Sequence, residues 1–241
     1  MSTATRPRGA ERERSADRRF LRDNGLTLVF GALFLLSVAG QSIAGFLVYL
    51  DDLRVAGLEP VTYLRYLTSS SFSADVAENW QSEYLQFFLY IAATVWFVQR
   101  GSSESKTPDD AGRATEEEQR MGRWAEESSP RPAKLPRGLR RWLYSHSLLL
   151  VMGAVFVGSW LAQSVAGHVA YDEQQLMDLS APLSWGEYLA SSDFWNRTLQ
   201  NWQSEFLAVG SMAALSVRLR ERGSPESKAV GAPDDETGGD D

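Results

Sequence analysis

Apolar residues in this chain gather into a few runs separated by charged stretches. Leu26–Leu50 is free of charge over about 25 residues, or ~37 Å as a helix, enough to cross a hydrocarbon core ~30 Å thick. Leu148–Tyr171 is a second run of the same kind. Two further runs are shorter: Tyr84–Val98 and the less apolar Phe206–Val217. About fifteen helical residues reach only ~22 Å, so a crossing there must recruit the turn before it. That turn reads NWQSE in both places, at 79–83 and 201–205. The pattern predicts an all-α integral membrane four-helix bundle, with spans at about 26–50, 79–98, 148–171 and 201–218.

The recurrence of NWQSE belongs to a longer one. A shift of 122 residues aligns Arg18–Lys106 with Arg140–Lys228 without a gap, with about 35 identities in about 89 pairs. Matching islands include QSIAG with QSVAG, YLTSSSF with YLASSDF, and GSSESK with GSPESK. Chance likeness between apolar stretches would match Leu and Val, not Gln, Asn, Trp and Glu. The chain therefore reads as two tandem helix-hairpin repeats, 18–106 and 140–228, joined by a linker over 107–139. A basic tail, 1–17, and an acidic tail, 229–241, flank them and are expected to be disordered.

Arginine placement sets the orientation. Arg18, Arg19 and Arg22 precede the first span and Arg100 follows the second; Arg137, Arg140 and Arg141 precede the third, and Arg218, Arg220 and Arg222 follow the fourth. The loops 51–78 and 172–200 carry mostly acid. By the positive-inside rule both termini and the linker are cytoplasmic, and the repeats are parallel, related by an axis along the membrane normal. The expected location is the cytoplasmic (inner) membrane, multi-pass. A signal-peptide reading of ArgArgPheLeu at 18–21 and SerIleAla before Gly45 is set aside, because both features recur mid-chain. The net charge of −7 arises largely from the acidic end and short loops. The absence of cysteine excludes disulfides and thiolate metal sites. Arginine far outnumbers Lys106, Lys134 and Lys228, as in GC-rich bacterial genomes.

Each loop holds a proline, Pro60 or Pro182, at a plausible first helical position, followed by aromatics suited to a short interfacial helix. SerSerSerPhe and SerSerAspPhe then offer N-caps for the re-entering helix.

On that helix Asn79, Ser82, Glu83 and Gln86 occupy i, i+3, i+4 and i+7 and share a face; Asn201, Ser204 and Glu205 repeat the pattern, with Ala208 in place of the Gln. The first spans carry Ser37 and Gln41, repeated as Ser159 and Gln163, with small residues at 44, 45, 166 and 167 that let neighbouring backbones approach. The simplest pairing sets Gln41 beside Glu83 and Gln163 beside Glu205. Trp80 and Trp202 are expected as anchors at the interface or against the other repeat. Polar side chains that glue helices together explain this stripe, and that reading carries more weight. Its rival is a site where Glu83 and Glu205 bind a proton, a cation or a polar headgroup.

Other chemistry is thin. His146 and His168 lie near opposite ends of the third span, too far apart for one metal. No phosphate loop, dinucleotide fingerprint, HExxH or GxSxG is present. GluGluGlu at 116–118 reads as a solvated linker patch.

RRFLRDNGLTLVFGALFLLSVAGQSIAG, followed by YLTSSSFSADVAENWQSEYLQFFLYIAATVWFVQRGSSESK, resembles an uncharacterised family of bacterial four-pass membrane proteins, a domain of unknown function. The doubled NWQSE[YF]L is the most specific element. The resemblance implies an integral membrane location and assigns no catalytic residue. The expected role is structural or envelope-associated, without enzymatic activity or cofactor. Membrane lipid is the expected partner, with a homodimer or another membrane protein beside it, and nucleic acid is not one. A small transporter or channel using Glu83 and Glu205 is the alternative, and a membrane-embedded enzyme the least favoured.

Overall fold

The computed structural model describes residues 19–238, and among them every regular element is helical. The tail 1–17 lies outside the described residues. From Gly25 onward the α-helices in chain order are α1 (Gly25–Val55), α2 (Tyr63–Leu67), α3 (Ser70–Ala93), α4 (Leu139–Ser145), α5 (Ser147–Met177), α6 (Trp185–Leu189) and α7 (Ser192–Leu215). Among the described residues α1 and α5 are the two helices long and apolar enough to cross a membrane. The helices α3 and α7 have comparable reach, but their polar residues exclude them from that pair. The chain divides into two compact units, 1–72 and 73–241, with α3 starting in the first and continuing into the second.

In the first unit α1 closes at Gly57, which takes a left-handed φ of 70°. This lets Leu58 N–H reach back to the Leu53 carbonyl at 2.8 Å. The helix α2 begins three residues after Pro60, not at it. Thr62 is the cap, its hydroxyl accepting from Arg65 N–H at 3.4 Å. Tyr66 of α2 is buried among Phe46, Tyr49 and Phe72, with ring centroids 5.5–5.7 Å away. Its hydroxyl lies over Gly45 so closely that any Cβ there would overlap it. The small residue therefore admits a tyrosine, where the sequence suggested a neighbouring backbone. Ser42 and Tyr63 complete the junction with a hydroxyl–hydroxyl bond of 2.6 Å.

The second unit contains the same junction shifted by 122 residues. Tyr188 of α6 is buried among His168, Tyr171 and Phe194, and a Cβ on Gly167 would lie 2.6 Å from its hydroxyl. A capping box, Ser184 with Glu187, starts α6, so Pro182 too precedes the helix without entering it. Ser69 and Ser191 cap α3 and α7 through the N–H groups of Phe72 and Phe194, as the sequence suggested.

Both re-entering helices end earlier than their apolar runs, α3 at Ala93 and α7 at Leu215. Beyond α3, Gly112 N–H takes the Val95 carbonyl at 2.7 Å and the chain turns into the linker. That linker holds specific contacts. Glu116 accepts from Arg137 at 2.8 Å and from the buried Arg141 at 2.6 Å, so this glutamate anchors a cation and is not merely solvated. Chiefly the Arg137 hydrogen bond holds the Glu116 carboxyl below its ordinary pKa. Within the tail expected to be disordered, 229–238 makes specific contacts, and 239–241 lie outside the described residues. Lys228 Nζ donates to the carbonyls of Pro233, Asp234 and Glu236, and Gly238 N–H to that of Ser102.

Candidate functional site

Within the second unit, α3 and α7 contact each other through residues whose numbers advance together. Arg197 donates to Glu78 at 2.5 Å and to Asp75 at 3.3 Å. Trp202 Nε1 donates to Gln81 Oε1 at 2.8 Å. Glu205 lies within hydrogen-bonding reach of Ser82, whose hydroxyl donates to the Asn79 carbonyl at 3.0 Å, and within electrostatic reach of Glu83. Contacts that rise in step from 75–197 to 83–205 make the helices parallel and nearly in register at the 122-residue shift. The equivalent positions Asp75 and Arg197 therefore meet, and Glu83 and Glu205 lie within electrostatic reach of each other. The buried stripe of α3 is Ala74, Ala77, Glu78, Gln81, Ser82 and Leu85, at the 3–4 spacing of one helical face. Burying Glu78 without a partner would cost several kcal/mol, about 3–5 for a broken buried pair, which is why Arg197 is held against it.

The predicted polar residues do not form one face toward one partner. Ser82 is buried, whereas Asn79 and Glu83 are exposed; Asn79 turns its amide back to the Asp75 carbonyl at 3.0 Å. In the second copy Asn201 and Glu205 are half-buried and Ser204 is exposed, bonding the Asn201 carbonyl at 2.8 Å. Gln163 is fully buried, but its amide donates to Thr198 at 3.4 Å and not to Glu205. Thr198 lies two turns before Glu205 on α7, so the glutamine meets the helix nearer its start than the depth count suggested. Ser159 is buried one turn earlier on α5. In the first unit Gln41 is half-buried and Ser37 exposed. Trp202 turns to the other copy through Gln81, as one of its two expected directions, and Trp80 is 42% exposed.

Four participants went unread in the sequence: Gln81, Thr198, Trp160 and the Arg197 group. Gln81 sits in NWQSE itself, and its register on the buried stripe was the available signal. Around it, Trp202 and Trp160 lie 6.0 Å apart by ring centroid, and Trp160 also contacts Phe194 and Trp195. Gln81 Nε2, Gln163 Oε1 and Trp160 Nε1 are buried with no protein hydrogen-bond partner. The interior where α3, α5 and α7 approach thus keeps unspent hydrogen-bonding capacity, an arrangement costly in any apolar medium. The neighbouring pair Glu83 and Glu205, with Ser82 against one of them, has the chemistry to hold a proton or a single cation.

Comparison with known proteins adds a family and no activity. No curated protein and no solved structure matches the chain. The family model described as Domain of unknown function (DUF6766) matches residues 17–239, and the chain belongs to that family.

Proposed function

We propose that this protein is a multi-pass protein of the cytoplasmic membrane, without enzymatic activity, whose two parallel hairpin repeats form a four-helix unit that binds lipid or a partner membrane protein. One observation carries the membrane reading. The helices α1 and α5, 31 residues each, have only 6% and 17% of their most apolar stretches buried. A soluble core helix of that composition would be largely buried, and these instead present leucine, valine and phenylalanine outward. Lipid is the solvent that such surfaces fit. The re-entering helices α3 and α7 supply the other two crossings in this reading, their polar face spent on each other.

Because the chain has no cysteine, single cysteines report topology directly. In intact cells a membrane-impermeant thiol reagent should label cysteines placed at Gly57 and Ser180 and spare those at Lys106 and Lys228. Labelling at Lys106 overturns the four-pass arrangement.

A second reading, a small transporter or channel, is favoured by Glu83 and Glu205, equivalent positions within electrostatic reach of each other. Four helices enclose little aqueous space, so it calls for a homodimer. Proton or cation flux into liposomes that disappears in Glu83→Gln/Glu205→Gln would select it, and a flux unchanged by that variant would remove it.

A further inference from the structure

We propose that the loops 101–106 and 223–228, written GSSESK and GSPESK, form a proton-operated clamp that joins the C-terminal ends of α3 and α7 through Glu104 and Glu226. The two loops fold alike. Gly101 and Gly223 take left-handed φ values of 85° and 87°. Ser105 Oγ accepts from Gln99 N–H at 2.8 Å and donates to the Lys106 carbonyl at 3.0 Å. Ser227 does the same with Glu221 and Lys228, at 2.9 and 3.1 Å. Ser102 and Ser224 accept from the N–H groups of Glu104 and Glu226 at 3.1 and 3.2 Å.

The loops then meet. Ser102 and Ser216 share a buried hydroxyl–hydroxyl bond of 2.8 Å, and Ser103 donates to the Glu226 carbonyl at 3.0 Å. The Glu226 carboxyl comes within hydrogen-bonding reach of that of Glu104, while Tyr90 donates its hydroxyl to Glu104 Oε2 at 2.9 Å. Ionised carboxylates only accept, so a bond between two of them requires one proton. No cation acts on the Glu104 carboxyl among the described residues. Lys106 Nζ is held by the Gly112 carbonyl, Lys228 Nζ by three carbonyls, and Arg220 by Asp234 and carbonyls. Tyr90, Glu104 and Glu226 are the titratable groups that face one another here.

Burial raises the Glu104 pKa above its ordinary 4.5, the Tyr90 hydrogen bond opposes this, and Glu226 adds to the rise. A carboxyl with a raised pKa in the joined state binds protons more tightly there. Its contribution is complete below the ordinary value and is lost as pH rises through the raised one. Above that point two anions face each other and the clamp loosens.

Spin labels on cysteines at Asp109 and Ala229 in the full-length protein, reconstituted in nanodiscs, read the separation of the two loops. A narrow distance distribution at about pH 4 should lose its narrow component by about pH 8. Glu104→Gln, whose amide donates to the Glu226 carboxylate without a proton, should keep the narrow component at both. A wild-type distribution indifferent to pH, or a Glu104→Gln protein that broadens as the wild type does, overturns the proposal.

Discussion

The turn of the first hairpin and that of the second share a ring cluster but are latched differently. In the first, Ser42 holds Tyr63 and Phe46 packs edge-on against it at 5.3 Å. In the second, the residue equivalent to Phe46 is His168, whose Nε2 donates to the Leu183 carbonyl at 2.7 Å. Asp172 sits beside it and accepts from Leu183 N–H at 2.9 Å. Common to both is a tyrosine seated on a glycine, Tyr66 on Gly45 and Tyr188 on Gly167. Steric fit of a buried ring admits one solution at that spot, whereas a latch on a loop can be made by any well-placed donor and acceptor.

Substitution at the shared contact should produce the largest effect. Gly45→Ala must displace a tyrosine that is 2% exposed, and overpacking of this kind costs ~1–3 kcal/mol. Gly167→Ala should cost somewhat less, because its contact is less close. Thermal unfolding in detergent reads both, and Tyr66→Phe or Tyr188→Phe in the same chain should recover part of each loss. Equal losses without recovery would show that the hydroxyl contact is not the cause.

The latch comes next. His168→Phe copies the first hairpin into the second and strips the Leu183 carbonyl of its donor, a change worth ~1–2 kcal/mol. The reverse substitution, Phe46→His, has no aspartate waiting for it, since Leu50 stands where Asp172 does, and should gain nothing. A stabilised Phe46→His protein would mean that the latches are interchangeable.

The smallest effect concerns the helix ends. The helix α5 closes as α1 does, Ser180 N–H reaching the Gln175 carbonyl at 2.7 Å, but Leu179 occupies the left-handed position that Gly57 fills in the first copy. Leu179 is 95% exposed, so Leu179→Gly forfeits no packing and should relieve ~1 kcal/mol of backbone strain. Gly57→Leu should lose a similar amount by the same assay.

The helical class and the two long apolar helices were legible because hydropathy and length act locally along the chain. The caps at Ser69 and Ser191 were legible for the same reason. The starts of α2 and α6 were misplaced, since proline marks a plausible entry while the Thr62 and Ser184 side chains decide it. The polar site was read only in outline. Spacing places Asn79, Ser82 and Glu83 on one face, but which stripe is buried depends on where α7 lies, and that centres on Gln81. The Glu116 pair with Arg141 spans 25 residues of a linker without periodicity, so nothing in the local sequence announced it.

The opposite charges of Asp75 and Arg197 decide which helix can pair with which. Were two copies of the first repeat to associate through this helix pair, Asp75 would confront its own twin, with Glu78 close by. Like charges at that spacing repel, and no arginine would be present to offset the buried Glu78. Asp75 and Arg197 thus make the two helices complementary and not interchangeable.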